Sequence, residues 1–235
     1  MQKKKYLCGT ATVRGKSHIR LGIVNQDCVI FNSKKNLLTL AMADGLGSHP
    51  HSEKGSRAVC EAAAKTAEIF SYGTMGREDA FLTMLTYSWR QMIYPLEPNE
   101  CGTTCLVMVR FPNRDIFLAQ LGDGEIVYEY NGIVRVLKEK EDEFADLTHS
   151  VSSSHLSDWD KITLTNVTKG FSLYMHTDGL SILKDKRGYF LSQLNEKLYG
   201  INSQSRADRF LLSLLQQSWE GELDDDRTIA YFRLK

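Results

Sequence analysis

The 235-residue sequence has no charge of one sign to spare: 29 Lys and Arg stand against 29 Asp and Glu. That excludes association driven by counterion release from a nucleic-acid backbone, which needs a basic excess. Long hydrophobic runs are missing too, and none approaches the ~18 residues of a membrane-spanning helix. Only four prolines are spread along the chain, and there is neither a fixed-period repeat nor a low-complexity tract. The expectation is a single domain over residues 1–235. The five cysteines, at 8, 28, 60, 101 and 105, are odd in number and irregularly spaced, which argues against a secreted disulfide framework. The basic start runs directly into Gly9, Thr10 and Arg14, leaving no apolar segment for export. A cytoplasmic protein with reduced thiols is expected, with neither nucleic acid nor membrane as partner. What is present is ample apolar material: 42% hydrophobic residues suffice for a sizeable core.

Periodicity divides the chain. Residues 36–43 form a short apolar run stopped by Asp44-Gly45, as a buried strand ending in a turn would. From 52 to 70 apolar residues recur at helical spacing, with Ser52 as the expected N-cap. A second helix is predicted over 78–94, ended by Pro95, with Tyr87, Trp89 and Tyr94 read as core residues. Four β-like stretches follow at 103–110, 116–121, 126–130 and 133–137, the last two joined by an Asn131-Gly132 turn. A strand at 171–176, a helix at 204–219 and a strand at 228–234 complete the pattern. The acidic patch 139–146 and the Ser/Thr-rich 148–154 read as an exposed flap. Strands and helices come in blocks, without regular βαβ alternation, so the class is α+β with antiparallel sheets covered by helices. The same meander argues against a phospho-accepting receiver domain, which needs parallel βαβ units.

Acids recur where these strands stop. Asp44-Gly45, Asp123-Gly124 and Asp178-Gly179 each follow an apolar stretch, whereas chance pairing of 15 Asp with 17 Gly would give about one such dipeptide. Asp27 precedes the apolar Val29-Ile30-Phe31, and Asp224-Asp225-Asp226 precede the last strand. Taken singly, Asp-Gly is turn chemistry, because Asp bonds its own backbone and Gly takes positive φ freely. Taken together, converging strand ends would crowd anions into a small space, at a cost that a multivalent cation relieves. Oxygen ligands without clustered Cys or His favour Mg²⁺ or Mn²⁺ over zinc. His49 and His51 lack the further ligands a zinc site needs.

The ordered set GKSHIRLGIVNQD (15–27), ADGLGS (43–48), GTT (102–104), LGDG (121–124), HTDGL (176–180) and DDRT (225–228) resembles the PPM-type metal-dependent Ser/Thr phosphatases, the protein phosphatase 2C family, in its bacterial branch. The resemblance implies a four-layer α-β-β-α sandwich with two Mn²⁺ or Mg²⁺ ions at one edge of paired antiparallel sheets, and a third held more weakly. It implies that Asp44 bridges two metals, that the Gly45 carbonyl joins it, and that Asp178 and Asp225 hold the other ion. Asp27 matches the acid of the first motif, and Asp123 the residue that helps hold the third metal. Asp44 and Asp178 are then the catalytic acids, activating water for in-line attack on a phosphoserine or phosphothreonine without a phosphoenzyme. The implied partners are a phosphorylated protein and a cognate Ser/Thr kinase.

Three positions depart from the family pattern. Gln26 stands where Glu is common, Gly22 where a phosphate-binding Arg is frequent, and Leu46 where many eukaryotic members carry a general-acid His. Arg20 and His18 are therefore the candidate substrate-binding residues, although a lone His in a strand also fits a structural role. Gln26 and Gly22 favour a second reading, a metal-poor pseudophosphatase that binds phosphorylated partners, while Asp44, Asp178 and Asp225 oppose it. Gly102-Thr103-Thr104 is expected to permit close packing without a catalytic duty.

Overall fold

The computed structural model describes residues 5–137, 149–216 and 224–235. Its strands are β1 (Tyr6–Val13), β2 (Cys28–Lys34), β3 (Leu37–Ala43), β4 (Cys105–Arg110), β5 (Ile116–Leu121), β6 (Glu125–Tyr130), β7 (Ile133–Val136), β8 (Asp160–Leu164), β9 (Phe171–His176) and β10 (Arg227–Leu234). The helices are α1 (Lys16–Leu21), α2 (Ser52–Ile69), α3 (Glu78–Ile93), α4 (Arg187–Lys197) and α5 (Gln204–Gln216). Two five-stranded sheets form, ordered β1-β10-β9-β6-β7 and β2-β3-β4-β5-β8. Every strand pairing in them is antiparallel.

Side-chain alternation along the strands builds the four layers. On β3, Leu38, Leu40 and Met42 pack between the sheets against Leu173, Met175 and Phe232. The intervening Leu37, Ala41 and Ala43 face α2 and α3, together with Val59, Phe81 and Trp89. On the far side, Tyr174, Ile229 and Tyr231 meet Leu191 of α4 and Leu211 of α5. Central strands are thus buried on both faces, which is why 36–43 reads as an unbroken apolar run without polar alternation. Two hairpins close on two-residue left-handed turns, Lys35-Asn36 (φ 49° and 68°) and the expected Asn131-Gly132 (φ 53° and 77°).

Several local expectations change. Ser52 is the first residue of α2 and not its cap; its hydroxyl instead accepts a hydrogen bond from Gln26 Nε2 at 2.7 Å. Trp89 is fully buried, but Tyr87 and Tyr94 are 59% and 81% exposed, because Tyr87 lies off the α3 face that meets α2 and Tyr94 follows the end of the helix. His18 lies on α1, not on a strand. Of the expected flap, 138–148 falls outside the described residues, while Ser150 and Val151 are buried, the Val151 amide donating to the Thr103 carbonyl. Residues 217–219 of the last expected helix also lie outside the described residues.

The register positions the acids. Cys28 pairs with Ala43, Met42 with Leu106, and Cys105 with Leu121, so the start of β2 and the ends of β3 and β5 share one edge. Ile229 and Glu125 both pair with His176, which brings the starts of β10 and β6 to the end of β9. Asp27, Asp44, Asp123, Asp178 and Asp225 therefore leave the two sheets at these strand ends.

Candidate active site

Asp44 follows β3 and is held through its backbone. Its amide donates to Thr104 Oγ1 at 2.9 Å, and its carbonyl accepts from the Thr104 amide at 2.8 Å and from Thr103 Oγ1 at 2.9 Å. The Gly45 amide donates to the Gln26 carbonyl at 3.1 Å. A Cβ at Gly45 would meet the Ser52 carbonyl oxygen at 2.7 Å, so only glycine lets this turn seat against the start of α2. Asp178 follows β9 after Thr177, whose amide donates to the Thr228 carbonyl at 3.2 Å. A Cβ on Gly179 would likewise run into the Asp226 carbonyl.

Behind these lies Asp27, almost fully buried. Its Oδ2 accepts from Thr228 Oγ1 at 2.6 Å and Thr177 Oγ1 at 2.9 Å, while Oδ1 is buried with no hydrogen-bond partner among the described residues. Burial, opposed by those two hydroxyls and reinforced by Asp226 and Asp178, pushes its carboxyl up to about 7. Asp44 is raised well above the ordinary carboxylate range, first by burial and then by Asp27, Asp178 and Asp225. Asp225 is raised by the same desolvation, with Asp178 and Asp226 adding to it. Asp178 Oδ1 is also buried and unpartnered. Acids that raise one another and keep oxygens without donors make a site short of positive charge, and hard divalent cations suit such oxygen donors. The residues present fit such ions.

A cleft of about 660 Å³ opens over this floor, lined among others by Asp44, Gly45, Asp123, Asp178, Asp225 and Gln26. Asp27 sits behind its wall. Asp226, whose neighbour Asp225 faces the cleft, is built into the frame: its carboxylate accepts from the Gly15 and Gln26 amides, each at 2.7 Å. His18 lines the cleft with Nδ1 2.9 Å from Asp226 Oδ2, and donor atoms of His18, Asp225 and Asp226 lie within 4.8 Å of one another. Arg20 is placed elsewhere, exposed on α1 and 3.9 Å from Asp224 Oδ1. Gly22 caps α1 in a left-handed conformation, φ 69°, a role that suits glycine and not the arginine of the family pattern. Among the described residues neither Lys nor Arg lines the cleft.

Gly102-Thr103-Thr104 is expected only to permit packing, and Thr177 and Thr228 carry no expected role, yet all four threonines hold the acids. Thr103 and Thr104 orient the Asp44 backbone, and Thr177 and Thr228 cap Asp27 across two strands. Their signal was their place inside the acidic motifs, as GTT, HTDG and DRT.

A model of the Protein phosphatase 2C family matches residues 14–218. Among solved structures, PppA, a regulatory component of T6SS in Pseudomonas aeruginosa, superposes with a TM-score of 0.69 at 16% identity, covering 99% of both chains. The catalytic domain of the serine/threonine phosphatase PstP in complex with two manganese ions gives 0.67 at 17%, over 97% of this chain and 98% of that one. RsbX in complex with magnesium gives 0.63 at 15%, over 100% and 98%. No curated protein sequence matches. At these identities the structural likeness is one of fold, and it agrees with the sandwich. With the family match spanning most of its length, the chain belongs to the protein phosphatase 2C family.

Proposed function

We propose that the protein is a metal-dependent phosphatase that hydrolyses phosphoserine or phosphothreonine in protein substrates, opposing a cognate Ser/Thr kinase. The observation that carries this reading is the gathering of Asp44, Asp178 and Asp225 around one cleft, with Asp27 behind them and two carboxylate oxygens lacking donors. Asp44, the Gly45 carbonyl, Asp178 and Asp225 would hold two Mn²⁺ or Mg²⁺ ions, and Asp123 would help hold a third. Bound there, such ions neutralise phosphate charge and make water nucleophilic near neutral pH. The protein's own part is positional. Thr103 and Thr104 keep Asp44 aimed into the cleft, and the threonine pair on Asp27 fixes the acid behind it. Asp226 Oδ2 lies 2.9 Å from Nδ1 of His18, whose ring stands at the cleft wall, where it can contact a phosphoryl oxygen. Arg20 faces solvent, so the substrate contact is assigned to His18.

Asp44→Ala and Asp178→Ala should each abolish Mn²⁺-dependent hydrolysis of a phosphothreonine peptide while leaving the fold intact by circular dichroism. Full activity in either variant, or in excess chelator, would refute the mechanism. A phosphoprotein-binding module without turnover is the second reading, favoured by Gln26 and by a cleft wall that holds neither Lys nor Arg among the described residues. Metal content after gentle purification separates the two, since such a module would carry little.

A further inference from the structure

Beside the cleft lies a surface that the chemistry above does not use. Residues 19–24 are all exposed, and four of them are large and apolar: Ile19 (54%), Leu21 (72%), Ile23 (36%) and Val24 (53%). Among the described residues no other stretch of six presents four such side chains to solvent. The run is tethered. The Ile23 amide donates to the His18 carbonyl at 2.9 Å, Arg14 Nη1 donates to the Ile23 carbonyl at 3.3 Å, and the Ser17 amide donates to the Asp224 carbonyl at 3.1 Å. His18, which lines the cleft, directly precedes this apolar shelf, and Leu21 follows His18 one helical turn along α1. Exposed Arg14, Lys16 and Arg20 stand on the same segment, whereas the cleft itself has an acidic floor and no basic wall among the described residues.

We propose that this shelf docks the polypeptide of the phosphorylated substrate, a proposal that rests on the phosphatase reading above. The occupant is an extended segment whose phosphoryl group enters beside His18 and whose apolar side chain, about one or two positions away, lies on Leu21. That spacing follows from reach: one helical turn from His18 to Leu21 advances about 5 Å, and an extended chain rises about 3.4 Å per residue. Charge complementarity selects this occupant. Arg14 and Lys16 attract a phosphorylated chain, Arg20 being set against Asp224, and the apolar side chains supply contact area that a cleft lined mainly by polar groups lacks.

The experiment compares wild type with the triple variant Ile19→Ser, Leu21→Ser, Val24→Ser, all at exposed positions outside the cleft wall. The substrates are phosphothreonine peptides with Leu or Ser at one and two residues on either side, and p-nitrophenyl phosphate. Wild type should show kcat/KM about tenfold higher for the Leu peptides, the triple variant should lose that preference, and p-nitrophenyl phosphate should be hydrolysed equally by both. Equal rates on Leu and Ser peptides in wild type, or a preference that survives in the variant, would overturn the docking surface while leaving the phosphatase reading intact. No hydrolysis of any substrate by Mn²⁺-loaded wild type would overturn the phosphatase reading, and docking with it. An unchanged peptide preference, with wild type alone binding phosphatidylglycerol vesicles or alone dimerising in sedimentation velocity, would assign the shelf to a lipid surface or a second copy and overturn the proposal.

Discussion

Replacing Asp27 by asparagine removes a buried negative charge while keeping an oxygen where Thr177 and Thr228 donate. In the metal-free protein the Asp27 carboxyl is raised to about 7 from an ordinary 3.8, mainly by burial. The folded state therefore keeps a proton that the unfolded chain has already released across this window. Stability attributable to the group is complete below pH ~3.8 and is lost as pH rises toward 7, at about 1.4 kcal/mol per pH unit. Over the window the loss is on the order of 4 kcal/mol. Asparagine leaves an amide where Oδ1 has no partner, a cost of about 1–3 kcal/mol that does not vary with pH. The slope, not the absolute stability, is thus the diagnostic quantity. Urea denaturation in EDTA from pH 5 to 8 should show wild type losing stability relative to Asp27→Asn as pH rises, so that the difference between them shifts by about 3 kcal/mol, most of it below pH 7. Saturating Mn²⁺ should flatten the wild-type curve, because metal binding drives the proton off. Parallel stability curves in EDTA would refute the account of a crowded, proton-sharing acid cluster.

Two further substitutions probe the frame. Thr104→Val keeps the shape but removes the hydroxyl that accepts from the Asp44 amide, so Mn²⁺ affinity measured by calorimetry should fall about 10- to 100-fold with the fold retained. Arg187→Ala strips Glu125, which is 5% exposed, of its paired hydrogen bonds; among the described residues only His176 Nε2, at 3.5 Å from Oε2, remains beside it. Breaking that pair should cost about 3 kcal/mol in chemical denaturation at neutral pH. The cost should shrink in acid: Glu125 is held down to about 2 in the native protein, so the stability it contributes is lost as pH falls through that value.

The legible parts of this molecule were those written in local pattern. Central strands such as 36–43 and 171–176 announce themselves because both faces are buried, and each ends in an Asp-Gly turn. The edge strand β8 shows only half-buried positions and no clear alternation, and it passed unnoticed. α1 was missed because it is six residues long, lies between two glycines and buries none of its side chains. β1 carries Gly9, whose missing side chain lets α5 approach; a Cβ there would sit 2.8 Å from that of Ala207, a contact no local window reveals. The acids of the cleft could be read because their chemistry is carried by residue type. The threonines could not, because Thr177 and Thr228 acquire their role only when antiparallel pairing sets both hydroxyls on a residue 150 positions or more away in sequence. Arg20 and His18 lie two apart in sequence, yet only His18 lines the cleft, a distinction that the turn of α1 decides.

Calorimetric titration of metal-free protein with Mn²⁺ at pH 7.5 tests the central claim most directly. Wild type should bind about two ions per chain with release of protons, and Asp44→Ala should lose most of that binding. Absence of saturable Mn²⁺ binding in wild type, or binding of equal stoichiometry and affinity in Asp44→Ala, would contradict a metal centre built from these carboxylates.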